Sequence, residues 1–536
     1  MVTLRTFRAG LKLPILSVAF LFLSLHNVCA RDYGDAIVVG SIGDARNLVP
    51  ILASDAASAD ICGEVFNGLV KYDKDLNLTG DLAEKWDIED EGLTIVFHLR
   101  KNVFWHDGYP FTAADVEFTY QKLIDPNVRT PYSGDFERVK SLQVLDPYTV
   151  KVIYKEPFAP GLSSWGMPII PKHILEKEDL NNTSFSRKPV GTGPYKFKSW
   201  SPQEKIELQS NHQYFERRPC IDRYIYRIIP DDATIFLELE TQGVDYTGLS
   251  PLQYRRQTDT PFFKEHYRKL NLTSFGYTYL GFNLNNPLFK DKRVRQALNY
   301  AVDKNEIIEV VLLGLGKVTN GPFLPDSWGY NNKVLASPFN PAKARGLLEE
   351  AGWKDTNGDG WIDKDGRKFE FTIITNQGNE ERIKVAQIIQ RRLKDTGINV
   401  KIKVVEWSVF LTEFIEKKNF DAVLLGWFMG KDPDNYDIWH SSKIKPGEFN
   451  FISYKNEEVD KLLVDARRTF DLAKRKACYR RIHEILYDEQ PYMFLYIPDS
   501  LVVINSRFEG IKPEPIGISY NFIDWWVPKT KQKYQR

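Results

Sequence analysis

Cysteine is scarce: the 536 residues hold four, and no two stand in a C-x-x-C pair. A zinc ribbon, a zinc finger and a disulfide-stapled scaffold are thereby excluded. Apart from Cys29 near the N-terminus, Cys62, Cys220 and Cys478 leave open either one disulfide with a spare thiol or three separate thiols. An excess of charge is missing too, with 72 Lys and Arg against 71 Asp and Glu. Near-neutrality argues against nucleic acid or an anionic membrane as partner. No apolar run reaches the roughly 20 residues that span a bilayer. There is no G-x-S-x-G, no H-E-x-x-H and no recognisable Cys/His arrangement, so the chain is not expected to be an enzyme. Two glycine-bearing stretches fail as phosphate loops. Pro194 and a strand pattern follow Gly191 and Gly193, and Val318 follows Gly316-Lys317 where magnesium would need Ser or Thr. No cofactor is expected.

What is present begins with a leader. Arg5, Arg8 and Lys12 precede an apolar run at 13–25, and Val28 and Ala30 are the small residues of a secretory cleavage site. The mature chain is expected to start at Arg31 and to work in the periplasm. A lipid on Cys29 is the alternative, poorly served by Asn27 and Val28. The leader carries three basic and no acidic residues, so its loss leaves 69 basic against 71 acidic and moves the net charge from +1 to −2. The remainder, in a chain 43% hydrophobic and 27% charged, has the composition and length of two or three globular domains.

The stretch 419–442, NFDAVLLGWFMGKDPDNYDIWHSS, is the one to organise the chain around. Residues 420–427 form an apolar run without Pro, which predicts a buried strand. Gly426 and Gly430 then bracket Trp427, Phe428 and Met429, and the turn Asp432-Pro433-Asp434-Asn435 follows. A strand that delivers large side chains and carboxylates to a loop makes a cleft wall; a core strand ending in an ordinary Asp-Pro turn is the competing possibility.

Around it the pattern is α/β. Residues 36–39 predict a first strand, and the loop 54–60 leads into a helix over 65–69. Leu93, Ile95, Phe97 and Leu99 alternate with polar neighbours as a half-buried strand does. His106-Asp107-Gly108 is a corner, and Thr112 with Asp115 a capping box for the helix 116–124. His98 and His106 are expected to be structural. Asn340-Pro341 caps a helix that stops at Gly352. A helix over 380–395, a strand over 398–405 and a helix capped by Ser408 lead into the strand at 420, a β-α-β-α-β rhythm whose strand ends face ligand. Trp407 and Trp427 stand at such ends. Asp355, Asn357 and Asp359 match the first half of a calcium loop, but Gly366 occupies the twelfth position. A structural turn is the preferred assignment, with a weak cation site left open.

Seven stretches, in order, carry a resemblance: NGLVKYD at 67–73, LAEKWDI at 82–88, LTIVFHLRKNVFWHDG at 93–108, VGTGPYKF at 190–197, VRQALNYAVDK at 294–304, NPAKARGLLEEAGW at 340–353 and DAVLLGW at 421–427. Together they are similar to the bacterial extracellular solute-binding proteins of family 5, the binding components of dipeptide, oligopeptide and nickel ABC importers. The resemblance implies a type II periplasmic binding protein, a three-domain Venus-flytrap in which two lobes close on a cleft about a hinge. Domain I would comprise 31–67, 190–273 and 510–536, domain II 68–189, and the second lobe 274–509. The implied function is capture of a peptide, held like an added strand, by a monomer that delivers it to an ABC permease and ATPase. A non-peptide solute (metal chelate, oligosaccharide or anion) and service to a chemoreceptor are the alternatives. The matching ligand-contacting positions are Ser54, Asp55 and Ala56 on one lobe and Trp407, Gly426, Trp427 and Phe428 on the other. Peptide binders usually carry an acidic residue just after the Gly-Trp strand to pair the ligand's amine, whereas this chain has Phe428-Met429-Gly430-Lys431. Asp432 or Asp434 is then the expected substitute, and Lys431 would disfavour a cationic end.

Overall fold

The computed structural model describes residues 31–325 and 327–534. The expected leader at 1–30, its cleavage after Ala30 and the Cys29 alternative lie outside the described residues.

Three sheets organise the chain. The strand Ala36–Ser41 lies inside a seven-stranded mixed sheet, parallel to Arg223–Ile228 on one side and Tyr246–Gly248 on the other. A four-stranded antiparallel sheet sets Thr94–Leu99 between Ala83–Glu89 and Thr149–Tyr154, with Val139–Asp146 outermost. Ile95, Phe97 and Leu99, on the face predicted from the alternation, are buried in the same core as Ile37 and Val39 of the larger sheet. These two sheets make the first lobe. The second is built on a six-stranded mixed sheet in the order Gly316–Val318, Tyr492–Pro498, Gly276–Phe282, Ala422–Phe428, Glu370–Asn376, Asn399–Val405.

The strand Ala422–Phe428 is central to that sheet. Ala422 and Leu424 enter one core with Leu280 and Ile373, while Val423 and Leu425 enter the other with Tyr279 and Ile374. Burial on both faces explains why the run is continuously apolar instead of alternating.

One boundary differs from expectation. Ser500–Asn505, placed in the second lobe by a boundary at 509, pairs antiparallel with Tyr267–Leu272 and Tyr246–Gly248 and belongs to the seven-stranded sheet. Arg507 holds it there: buried, it donates to the Ala36 carbonyl at 2.8 Å and to Asp245 at 2.6 Å, and it pairs with Asp35. The chain therefore crosses between lobes at 273–275 and again at Asp499. The two crossings touch, with Asn271 Nδ2 donating to Asp499 Oδ2 at 2.9 Å.

Local signals mostly hold. Thr112 and Asp115 form the reciprocal capping box ahead of the helix Ala113–Ile124, and Asn340 caps Pro341–Glu350 through Lys343 N. The helix expected over 65–69 instead runs Ala56–Val65, because Asp55 caps it by accepting from Ser58 N. Glu406, not Ser408, caps the turn at Trp407–Val409 by accepting from Val409 N. Gly191 and Gly193 serve close approach: a Cβ on Gly191 would lie 1.8 Å from the Val65 carbonyl oxygen, and one on Gly193 2.5 Å from that of Glu64. His106 reads this contact, accepting from Gly191 N at 3.1 Å while Nε2 lies 3.0 Å from the Gly193 carbonyl. Burial lowers its pKa to about 4, so the ring is neutral with its proton on Nε2. Cys62 and Cys478 carry free thiols.

Candidate functional site

The parallel pairing of Glu370–Asn376 with both Asn399–Val405 and Ala422–Phe428 brings their C-terminal ends to one edge. There the second lobe presents its aromatic wall. Trp427 is fixed by donation from Nε1 to Tyr492 Oη at 3.3 Å and by an edge-on contact with Phe449 at 5.4 Å. Phe428, the last strand residue, is 80% exposed. Trp407 stacks on Phe410 at 5.8 Å. Gly426 has a steric reason to be glycine, since a Cβ there would lie 3.1 Å from the Tyr277 carbonyl and 3.2 Å from Arg382 Nη2.

The first lobe supplies the facing wall. Asp55 accepts from Ser58 N at 3.0 Å and Ser58 Oγ at 2.6 Å, and Ser58 Oγ in turn accepts from Arg46 N at 2.8 Å. Burial raises the Asp55 carboxyl above its usual range, against Ser58, Arg46 and the nearby Trp407 indole. Asp55 is therefore a buried cap, while Ser54 and Ala56 are exposed beside it. Tyr132 meets Phe449 edge-on at 5.6 Å, and Arg46 pairs with Glu416, so both an aromatic and an ionic contact join the walls.

Between them lies a cavity of about 480 Å³, within the usual range for a ligand site. Ser54, Asp55, Ala56, Trp407, Gly426, Trp427 and Phe428 all line it. Asp432 does not. Its Oδ1 accepts from Arg475 Nη2 at 2.8 Å, and Asp434 is likewise taken by Arg467 at 2.7 Å. Both carboxylates expected to pair a ligand amine therefore already face arginines of neighbouring helices. Asp355, Asn357 and Asp359 lie elsewhere, turned into their own loop. Asp355 accepts from Gly358 N and Gly360 N at 2.8 and 2.9 Å, and Asp359 pairs with Lys368 at 2.5 Å. Among the described residues no group of three His, Cys, Asp or Glu is placed to hold a metal ion.

One cavity residue was missed from sequence. Arg382 lines the cavity, donates to Asn376 Oδ1 at 2.8 Å and has no carboxylate within ion-pair distance among the described residues. Burial depresses its pKa. A signal existed: Arg382 sits in the first turn of the helix Glu380–Lys394, where the dipole favours acids. Lys418 and Lys445 also line the cavity without carboxylate partners among the described residues, whereas Arg46 and Glu416 cancel. With Asp55 and Glu448 also in the lining, four basic residues face three acidic ones, an excess of one positive charge that suits a ligand with a carboxylate.

The strand edge adds a second capacity. Pairing between Glu370–Asn376 and Ala422–Phe428 is confined to Ile373 with Ala422 and Ile374 with Val423. Residues 425–428 leave that edge open beside the cavity, a place where an extended backbone can pair.

Residues 77–447 match the family model described as bacterial extracellular solute-binding proteins, family 5 Middle. The chain is 39% identical over 509 residues to the oligopeptide-binding protein AppA of Bacillus subtilis (strain 168), covering 92% of each. The structure of AppA from Bacillus subtilis in complex with a nonapeptide superposes with a TM-score of 0.89 at 37% identity, over 93% of this chain and 100% of that one. NikZ from Campylobacter jejuni in complex with Ni(L-His) gives a TM-score of 0.84 at 32% identity, over 92% and 99%. Among the described residues no helix is long and apolar enough to cross a membrane.

Proposed function

The chain belongs to the bacterial extracellular solute-binding proteins, family 5, and from that premise we propose that it captures peptides between its lobes for an ABC importer. The observation that carries this reading is the open edge of residues 425–428 facing the interlobe cavity. A peptide lying along it would gain backbone hydrogen bonds whatever its sequence, while Trp407, Trp427 and Phe428 give its side chains apolar surface. Arg382 receives the terminal carboxylate. A guanidinium kept from water without a carboxylate is unfavourable until a ligand supplies one. At the amine end, Asp432 and Asp434 each already face an arginine.

On this reading the leader is removed after Ala30 and the monomer works in the periplasm. It binds its peptide unchanged and delivers it to a permease and ATPase. The lobes, domains I and II on one side and the second lobe on the other, rotate about the crossings at 273–275 and 499. Native mass spectrometry of the protein purified from its host tests the assignment: co-purifying peptides support it, and a non-peptide solute bound one to one overturns it.

A further inference from the structure

Charged groups of both lobes meet at the short helix Ser133–Phe136 of the first. Asp135 lies there against Arg467 of the second lobe, Oδ1 2.9 Å from Nη2, and the same guanidinium pairs with Asp434 at 2.7 Å. Lys443, also buried, donates to Ser133 Oγ at 3.0 Å and stands 3.6 Å from Asp437 and 3.7 Å from Glu448. A Cβ on Gly134 would lie 2.7 Å from Asp437 Oδ1, so the backbone of the first lobe is pressed against that carboxylate. Three aspartates thus converge on one guanidinium and one ammonium, and the ammonium also serves Glu448.

The other groups around Asp437 have settled charges. Arg138, beside the Tyr436 ring, is paired with Glu156 at 3.0 Å, and Glu156 also meets Arg468 at 2.6 Å. Burial lowers the pKa of His440, which faces Asp460, so its ring is neutral near pH 7. Burial raises the pKa values of Cys62 and Tyr132, which share a small cavity with Asp437, and both keep their protons. Burial likewise raises the carboxyls of Asp135 and Asp437, with Arg467 opposing in each case.

We propose that ligand capture takes up a proton from solvent: closing the lobes sets Asp135 against Asp434 and Asp437, and the closed form holds among these carboxylates a proton that the open form gives back. The inference rests on the peptide reading and lobe closure above and adds a proton linkage to them. Parting the lobes carries Ser133, Gly134 and Asp135 away and readmits water to Asp437, whose carboxyl then returns toward its ordinary value of 3.8. The closed value, about 7, lies above the open one, so binding is strongest in acid and weakens as pH rises toward about 7.

The test titrates a heptapeptide of Ala and Ser calorimetrically into wild type, Asp437→Asn and Asp135→Asn, in buffers of different ionisation enthalpy. Wild type should take up close to one proton per peptide at about pH 5.5 and almost none at about pH 8.5, and its dissociation constant should rise about five-fold between about pH 5.5 and about pH 6.5. Both variants should still bind peptide but lose the uptake and most of the pH dependence. Because all three proteins meet the same peptide, titration of its own termini cancels from the comparison. Uptake that persists in Asp437→Asn belongs to another group and overturns the proposal, and uptake that persists only in Asp135→Asn confines it to one lobe and overturns it too. Peptide binding to wild type without uptake at about pH 5.5 overturns the linkage and leaves the peptide reading intact. If no peptide binds wild type, the peptide reading falls and the linkage with it.

Discussion

Arg467 of the second lobe forms an ion pair with Asp135 of the first, Nη2 lying 2.9 Å from Oδ1. The same guanidinium donates through Nε to Asp434 at 2.7 Å and covers the Tyr436 ring at 3.9 Å, and its residue is 3% exposed. A buried charge stands only where it is paired, and here the pairing comes from both lobes at once.

Removing the partner on the first lobe should loosen closure. Asp135→Ala is expected to raise the peptide dissociation rate about tenfold with little change in association, because contacts made after encounter act on release. Stopped-flow tryptophan fluorescence measures both rates. An unchanged dissociation rate would show that the pair does not hold the closed form.

Asp437 supplies a pH dependence. Burial pushes its pKa up to about 7, opposed by Arg467 and Lys443 and reinforced by Asp135 and Asp434. The folded protein thus keeps a proton that the unfolded chain releases near 3.8. This contribution to stability is full below the lower value and is lost as pH rises through about 7. Asp437→Asn, which imitates the protonated side chain, should lessen the decline in denaturation free energy between about pH 5 and about pH 8.

Arg382→Met should weaken peptides with a free carboxylate by about 30-fold, the equivalent of about 2 kcal/mol for a charged hydrogen bond. C-amidated peptides should bind the variant and the wild type alike. Equal loss for both peptide forms would remove Arg382 from carboxylate recognition.

Trp427 packs on Phe449, which itself meets Tyr132 across the cleft. Peptide binding should therefore change tryptophan emission, and Trp427→Phe should remove most of that change while peptide still binds. A signal of undiminished size would place the reporter elsewhere.

Two glycines should part company. Gly191→Ala forces a Cβ to 1.8 Å from the Val65 carbonyl and should destabilise by about 3 kcal/mol or more. Gly346→Ala, inside the helix Pro341–Glu350 with nothing within 4 Å of the new Cβ, should stabilise by about 0.5–1 kcal/mol. Denaturant midpoints report both.

Features decided over a few residues were legible from sequence. Thr112 with Asp115, Asn340 with Pro341 and the apolar run of the central strand each signal through neighbours in the chain. The helix at Ala56 was misplaced because its small and polar residues read as a loop until Asp55 is seen to cap it. Charge partners were not legible. Asp432 meets an arginine 43 residues later and Asp434 one 33 residues later, and nothing local to 432–434 foretells either. Arg382 was overlooked for the same reason: that no carboxylate of the described residues pairs with it is a fact about the fold, although its place in an acidic first turn hints at it.

The contact between Asn271 and Asp499 bears on how the molecule moves. A single linker lets two bodies tilt, twist and slide, whereas two linkers fastened side by side leave one easy axis. If the lobes turn about these crossings as proposed, opening follows a reproducible arc, and a permease would meet two outlines instead of a continuum. Because Leu272 also pairs with Ser500 in the sheet, Asn271→Ala alone would leave the two crossings side by side, and the arc should survive it.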